Sequence, residues 1–294
     1  MKEEILQFIE YLHTEKQTSK NTEVSYERDL RKLCLFLEAQ GITSVKGVNT
    51  TSLNSYVMHL EQEGMKPATI SRSIASMKAF FAYLSKTRKI DADPAENLKA
   101  PKIEKKLPAI LTTDEIECLL EQPSGNSPKE LRDKAMLELL YATGIRVSEL
   151  ISLKLTDVNL QMEYLTCMDA HKERIIPFGK KAKEALKRYL KDGRPKLVED
   201  EACEWLFSNC SGQAMSRQGF WKLIKFYGGK AGIESELTPH TLRHSFAAHM
   251  IGNGADLKAV QEMLGYSDIA ATQVYAQMNQ GKIRDVYLKA HPRT

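Results

Sequence analysis

The feature that most constrains this chain is an interruption. Between residues 91 and 108 the sequence carries Pro94, Pro101 and Pro108, and its second half adds Lys99, Lys102, Lys105 and Lys106 against one acid, Glu104. Proline fixes φ and removes a backbone donor, so neither a helix interior nor a central strand runs through such a stretch. It reads as an extended linker, 91–108, that divides the 294 residues into domains at 1–90 and 109–294. The lysines suit a solvated connector and equally a strap that touches phosphates, and both readings stay open.

Before the break the pattern is helical. Ile5, Phe8, Ile9 and Leu12 share one spacing. A second helix starts near Ser19 or Asn21, carries Val24, Leu30, Leu33 and Leu37, and stops at Gly41. A third spans 50–63 with Leu53, Val57 and Leu60, and Gly64 follows. A fourth opens on Pro67 and carries Ile70, Ile74, Met77, Phe81 and Leu84. Four amphipathic helices can close a small bundle.

After the break, Thr112-Thr-Asp-Glu115 is a capping box ahead of Ile116, Leu119 and Leu120. A helix over 129–142 ends before Gly144. Residues 156–178 change character: Val158, Leu160, Tyr164, Leu165 and Arg174–Phe178 predict short strands. Helices return at about 180–191, 216–231, 239–252, 256–264 and 269–278. The expected fold is mainly α with a small β-sheet, a helical bundle followed by a mixed α/β domain.

Bulk properties narrow the class. Apolar residues make up 42% and charged residues 27%, as in ordinary globular proteins. No run approaches the ~18 apolar residues of a membrane span, and the acidic, periodic N-terminus is unlike a signal peptide. A cytoplasmic protein is the expectation, with no membrane partner. Cys34, Cys118, Cys167, Cys203 and Cys210 are scattered and form no Cys-x-x-Cys, which reads as reduced thiols rather than a zinc site. The net charge of +4 is compatible with nucleic acid without establishing it.

Four polar residues stand out in the second half. Arg146 lies in Ala142-Thr-Gly-Ile-Arg-Val-Ser-Glu-Leu150, His240 and Arg243 in His240-Thr-Leu-Arg-His244, and Tyr275 in Ala271-Thr-Gln-Val-Tyr275. Cleavage of a phosphodiester builds negative charge on its non-bridging oxygens, and fixed donors that meet this charge are the largest catalytic aid. Arginine suits that task because its planar fork stays protonated and can hold two oxygens. A tyrosine that attacks phosphorus keeps the energy of the broken bond in a covalent link. His240 can hold or relay a proton. Such chemistry needs neither metal nor nucleotide, so no cofactor is expected. His240 and His244 have a helical metal-pair spacing, but no zinc-protease glutamate accompanies them.

With these blocks the chain resembles the tyrosine recombinase (phage integrase) family, and within it the bacterial Xer recombinases, the XerD branch most of all. The resemblance rests on the Arg146 block, on Pro239-His-Thr-Leu-Arg-His-Ser-Phe-Ala247, on Gly254-Ala-Asp-Leu257 and on Thr272-Gln-Val-Tyr275, in the family's order and spacing, and it runs over the whole chain. It implies an N-terminal SAM-like core-binding domain and a catalytic domain. It also implies that Arg146 is the first clamp arginine, His240 and Arg243 the His-x-x-Arg pair, and Tyr275 the nucleophile that forms a 3′-phosphotyrosine.

Two departures from the family's pattern matter. Nine positions before Tyr275, where the family has His or Trp, stands Tyr266, whose hydroxyl can still donate to phosphate. Alignment on Lys172-Glu173-Arg174 puts Asp169 at the position of the family's catalytic lysine. Lys172 is the nearest lysine on the same hairpin, either as a substitute proton donor or as a surface or DNA-backbone lysine.

The resemblance further implies a C-shaped clamp on a short double-stranded DNA site and a homo- or hetero-tetramer with a related recombinase. The tail, with Ile283, Val286 and Leu288, would dock on a neighbour or on its own domain. The expected role is Xer-type recombination that resolves chromosome dimers, with a septal DNA translocase as partner. The alternatives are a mobile-element integrase or resolvase of the same chemistry, and a catalytically impaired, architectural DNA-binding protein. A relaxing topoisomerase has less support.

Overall fold

The structure, a computed structural model, describes residues 1–102, 108–169, 172–198, 200, 202–209, 211–235 and 237–265. Tyr266, Tyr275, the helix expected at 269–278, the apolar residues Ile283, Val286 and Leu288, and Cys210 lie outside these residues. The chain divides into two compact units, Met1–Lys106 and Leu107–Thr294.

The described residues of the first unit form four α-helices, α1 Lys2–Thr14, α2 Lys20–Ala39, α3 Thr50–Gln62 and α4 Pro67–Lys86, with a 3-10 turn at Val45–Gly47. Their starts follow local chemistry. The Ser19 side chain accepts from Thr22 N–H, Asn49 and Ser52 form a capping box, and Pro67 occupies the first turn of α4. Phe8, Leu30, Leu37, Leu53, Met77, Phe81 and Leu84 are buried between the helices. Val24, read from spacing as apolar face, is exposed instead. Tyr56 is buried where Val57 was expected, and Val57 is half-buried.

Within the stretch read as a solvated linker, Ala95 and Leu98 are buried in this same core. Thr50 Oγ1 donates to the Pro94 carbonyl at 3.0 Å and Lys78 Nζ to the Glu96 carbonyl at 3.0 Å. Two apolar side chains and two hydrogen bonds thus hold 94–98 against α3 and α4.

The second unit contains α5 Thr113–Glu121, α6 Pro128–Thr143 and α7 Val147–Ser152, then β1 Val158–Asn159, β2 Tyr164–Asp169 and β3 Lys172–Pro177. Next come α8 Lys180–Arg188, a π-turn at Tyr189–Gly193, α9 Arg194–Leu197, α10 Arg217–Lys230, α11 Pro239–Gly252 and α12 Leu257–Leu264. The Thr112–Glu115 capping box opens α5. The sheet is antiparallel in the order β1-β2-β3, with Leu165 opposite Ile176 and Cys167 opposite Arg174. These four residues are buried, while Met168 and Ile175 are exposed.

Helix α6 is the centre of this unit. Leu131, Ala135, Met136, Leu137, Leu139 and Leu140 are all buried, so it is covered on every side. It also carries a buried ion pair. Arg132 donates through Nε and Nη2 to Asp133 Oδ1 at 2.9 and 2.7 Å and through Nη1 to the Ser208 carbonyl at 3.0 Å. The Tyr227 hydroxyl donates to Asp133 Oδ2 at 3.1 Å. A buried pair is tolerated when its remaining donors and acceptors are met in this way. No helix among the described residues is long and apolar enough to cross a membrane.

Candidate active site

The site is built where α6, α7, β3, α11 and α12 meet. Gly144 caps α6 in the left-handed region, φ +61, and a Cβ there would lie 2.3 Å from Phe246 Cδ1 on α11 and 2.8 Å from Leu264 Cδ2 on α12. Glycine satisfies both demands, the positive φ and the close approach. Two residues on, Arg146 is the N-cap of α7. Glu149, at the third helical position, accepts from the Arg146 backbone N–H through Oε2 at 2.6 Å and from Arg146 Nη1 through Oε1 at 2.9 Å.

Arg243 is almost fully buried on α11, whose start is fixed by the Thr238–Thr241 capping box. Its Nη1 donates to the Gly144 carbonyl at 2.6 Å and its Nη2 to the Leu264 carbonyl at 2.5 Å. Arg146 Nη2 donates to the Gly265 carbonyl at 2.8 Å. Arg174, inward on β3, donates through Nη1 to the Met263 carbonyl at 2.7 Å and through Nη2 to Glu149 Oε1. Three guanidiniums therefore engage three successive carbonyls at the C-terminal end of α12. Helix C-termini leave such carbonyls without intrahelical partners and carry the negative end of the helix dipole, so cations are favoured there.

His240 lies in the first turn of α11 and is exposed; the half-buried His244 follows one turn on, with ring centroids 6.3 Å apart. Burial, then the neighbouring His240 and Arg243, push the His244 pKa down to about 4, so its imidazole is neutral at pH 7. Asp169 and Lys172 are Cα partners in the last register step of β2 and β3. Tyr266 directly follows Gly265 in the chain.

The structure thus brings Arg146 and Arg243 together at neighbouring carbonyls, and it adds Glu149 and Arg174, which the sequence reading did not single out. Glu149 had a signal, the three-residue spacing from Arg146 at a helix start. For Arg174 the signal was weak, because Arg174-Ile175-Ile176 is compatible with either residue parity facing inward.

A second surface on this unit is suited to phosphates. Helix α10 contains Arg217, Lys222, Lys225 and Lys230 and no acid. Trp221 and Phe226 are exposed on it, at 49% and 58%. Lys225 Nζ lies 5.3 Å above the Trp221 ring and Lys230 Nζ 5.0 Å above Phe226, within cation–π range.

Comparison with known proteins finds relatives over nearly the whole chain. Residues 109–282 match the phage integrase family, and residues 5–88 match the phage integrase N-terminal SAM-like domain. The tyrosine recombinase XerD of Halalkalibacterium halodurans is 44% identical over 98% of this chain and 97% of that protein. Among solved structures, XerA recombinase is similar with a TM-score of 0.56 and 27% identity, covering 99% of each chain. The site-specific recombinase XerH, in a post-cleavage complex with its palindromic difH substrate, shares the fold with a TM-score of 0.72 at 20% identity, over 96% of this chain and 94% of that one. The chain belongs to the phage integrase family and is a site-specific DNA recombinase of the tyrosine type.

Proposed function

We propose that Tyr275 is the nucleophile, that Arg146 and Arg243 clamp the scissile phosphate, and that His240 holds or relays a proton beside them. One observation carries this reading: Arg146 and Arg243 reach the carbonyls of the adjacent residues Gly265 and Leu264 at 2.8 and 2.5 Å. Two guanidiniums that reach neighbouring backbone oxygens can reach two oxygens of one phosphate. In the reaction the Tyr275 oxygen bonds to phosphorus, the bond to the 5′-oxygen breaks, and that oxygen takes a proton. The incoming 5′-hydroxyl of a partner duplex reverses each step and releases Tyr275.

An aspartate, Asp169, stands where the resemblance calls for a lysine, and a carboxylate cannot serve as a cationic donor to the leaving oxygen. We assign that proton to Lys172, its register partner, and a phosphate contact to the Tyr266 hydroxyl. If Lys172→Ala cleaves as fast as wild type, the assignment of Lys172 is wrong. Helix α10, basic and aromatic, is the element we assign to the DNA groove and backbone.

The likeness to XerD over nearly the whole chain supports a role in resolving chromosome dimers in the cytoplasm. Four protomers would act on two DNA sites, with a related recombinase and a septal DNA translocase as partners. A mobile-element integrase would share the chemistry, and the origin of the DNA site that the protein selects separates the two roles.

Covalent trapping tests the reading. A labelled, nicked duplex bearing a candidate site is incubated without metal with wild type or with Tyr275→Phe and run on a denaturing gel. A shifted band for wild type alone is expected. Binding without a band, with the partner recombinase also present, would instead support a non-catalytic, architectural protein, the reading that Asp169 favours.

A further inference from the structure

We infer that Arg174 is a positioning residue for DNA cleavage: it holds the Arg146 clamp and the root of the segment that leads to Tyr266 in one arrangement. The inference rests on the clamp reading above and extends it to a residue that does not itself meet the phosphate.

The argument starts from burial. Alternation along β3 turns Arg174 inward with Ile176, and its side chain is 8% exposed. A buried guanidinium needs partners on each of its edges. One edge has Glu149 and the second has the Met263 carbonyl, from α7 and α12. The third, Nε, is buried with no partner among the described residues. The face of the guanidinium meets Gly265. A Cβ on residue 265 would come within 2.6 Å of Arg174 Cζ, 2.7 Å of Nη1 and 2.8 Å of Nε. Gly265 also sits at φ +64, so both its backbone and its missing side chain suit this contact.

The consequence reaches Arg146 through one shared atom. Glu149 Oε1 accepts from both Arg146 Nη1 and Arg174 Nη2, while Oε2 accepts from the Arg146 backbone. Without Arg174, Glu149 would have Arg146 as its only cation in this set and would draw it toward the protein. With Arg174, the carboxylate charge is divided and its orientation is set from two sides. Arg146 and Gly265 are then fixed to each other directly and through Glu149 and Arg174. A fork fixed in this way needs little rearrangement when a phosphate arrives.

A buried ion pair that merely stabilises the fold would look similar, so the test needs a readout that stability does not move. Full-length protein is given the nicked duplex that it binds most tightly, at saturation, and the rate of covalent adduct formation is measured. The same duplex is also made with a methylphosphonate at the scissile position, which removes the charge that Arg146 meets. Arg174→Lys keeps the charge and most of the bulk but lacks the planar fork whose two separate nitrogens reach Met263 and Glu149, so it decides the matter even if Arg174→Ala fails to fold.

The expected result for Arg174→Lys is unchanged DNA affinity and a loss of about 10²-fold in rate on the phosphodiester. On the methylphosphonate the loss should shrink to less than about tenfold, and the Arg146→Ala, Arg174→Lys double variant should be no slower than Arg146→Ala alone. Equal losses on both substrates, or losses that multiply in the double variant, would overturn the inference. If Arg146→Ala cleaves as fast as wild type, the clamp reading itself fails, and the role of Arg174 fails with it.

Discussion

Replacing Gly144 by alanine isolates the packing that seats the site. Its φ is +61, and the added Cβ would sit 2.3 Å from Phe246 Cδ1 and 2.8 Å from Leu264 Cδ2, both on buried side chains. Gly232 lies in the same unit at φ +68 with nothing within 4 Å of its would-be Cβ. An alanine in the left-handed region costs about 1–2 kcal/mol at either position. Overpacking adds about 1–3 kcal/mol at Gly144 alone. For a unit of this size each kcal/mol lowers Tm by about 2–4 °C, so Gly144→Ala should unfold some 2–12 °C below Gly232→Ala. Both tryptophans of the chain, Trp205 and Trp221, belong to this unit, so fluorescence-detected melting follows it without signal from the first. Equal shifts for the two variants would refute the steric argument. A larger shift for Gly232→Ala would refute the reading of the backbone as well.

Other measurements check separate links. If α10 lies against DNA phosphates, Lys225→Ala should lower the slope of log affinity against log salt by about 1, while Trp221→Ala weakens binding and leaves the slope unchanged. An unaltered slope for Lys225→Ala would remove α10 from the interface. His244 titrates near 4 in the folded chain and near 6.5 unfolded, so the unfolded state binds the extra proton between these values. Its contribution to stability is complete above about pH 6.5 and is lost as pH falls toward 4. His244→Gln should therefore flatten the fall in Tm over that window, and an unchanged pH profile would contradict the burial described for His244.

Local signals were legible where they depend on neighbours in the chain. The capping box at Thr112–Glu115, the proline start of α4 and the glycine stop after α6 each involve residues within one turn, and the helices begin and end there. Arg243 was legible as buried because Leu242, Phe246, Ala247 and Met250 surround it on the helix. Arg174 was not, since its partners Glu149 and Met263 lie 25 and 89 residues away and its burial leaves Ile175 in solvent, against hydrophobicity. The pair Arg132–Asp133 carries no local signal of its burial either. The distant Ser208 and Tyr227 make that burial tolerable. Val24 failed in the opposite direction, because periodicity alone does not say how wide a helix's covered stripe is.

The packing of Ala95 and Leu98 decides how the protein can be dissected. A fragment cut at residue 90, where the helices end on paper, would leave a hole in the core of the first unit at both side chains. Removing one buried leucine costs about 2–5 kcal/mol, a large share of the ~5–15 kcal/mol that holds a domain folded. An expression boundary placed after Leu98 keeps those plugs, and the exposed Lys99 and Ala100 are where a protease can cut without removing them.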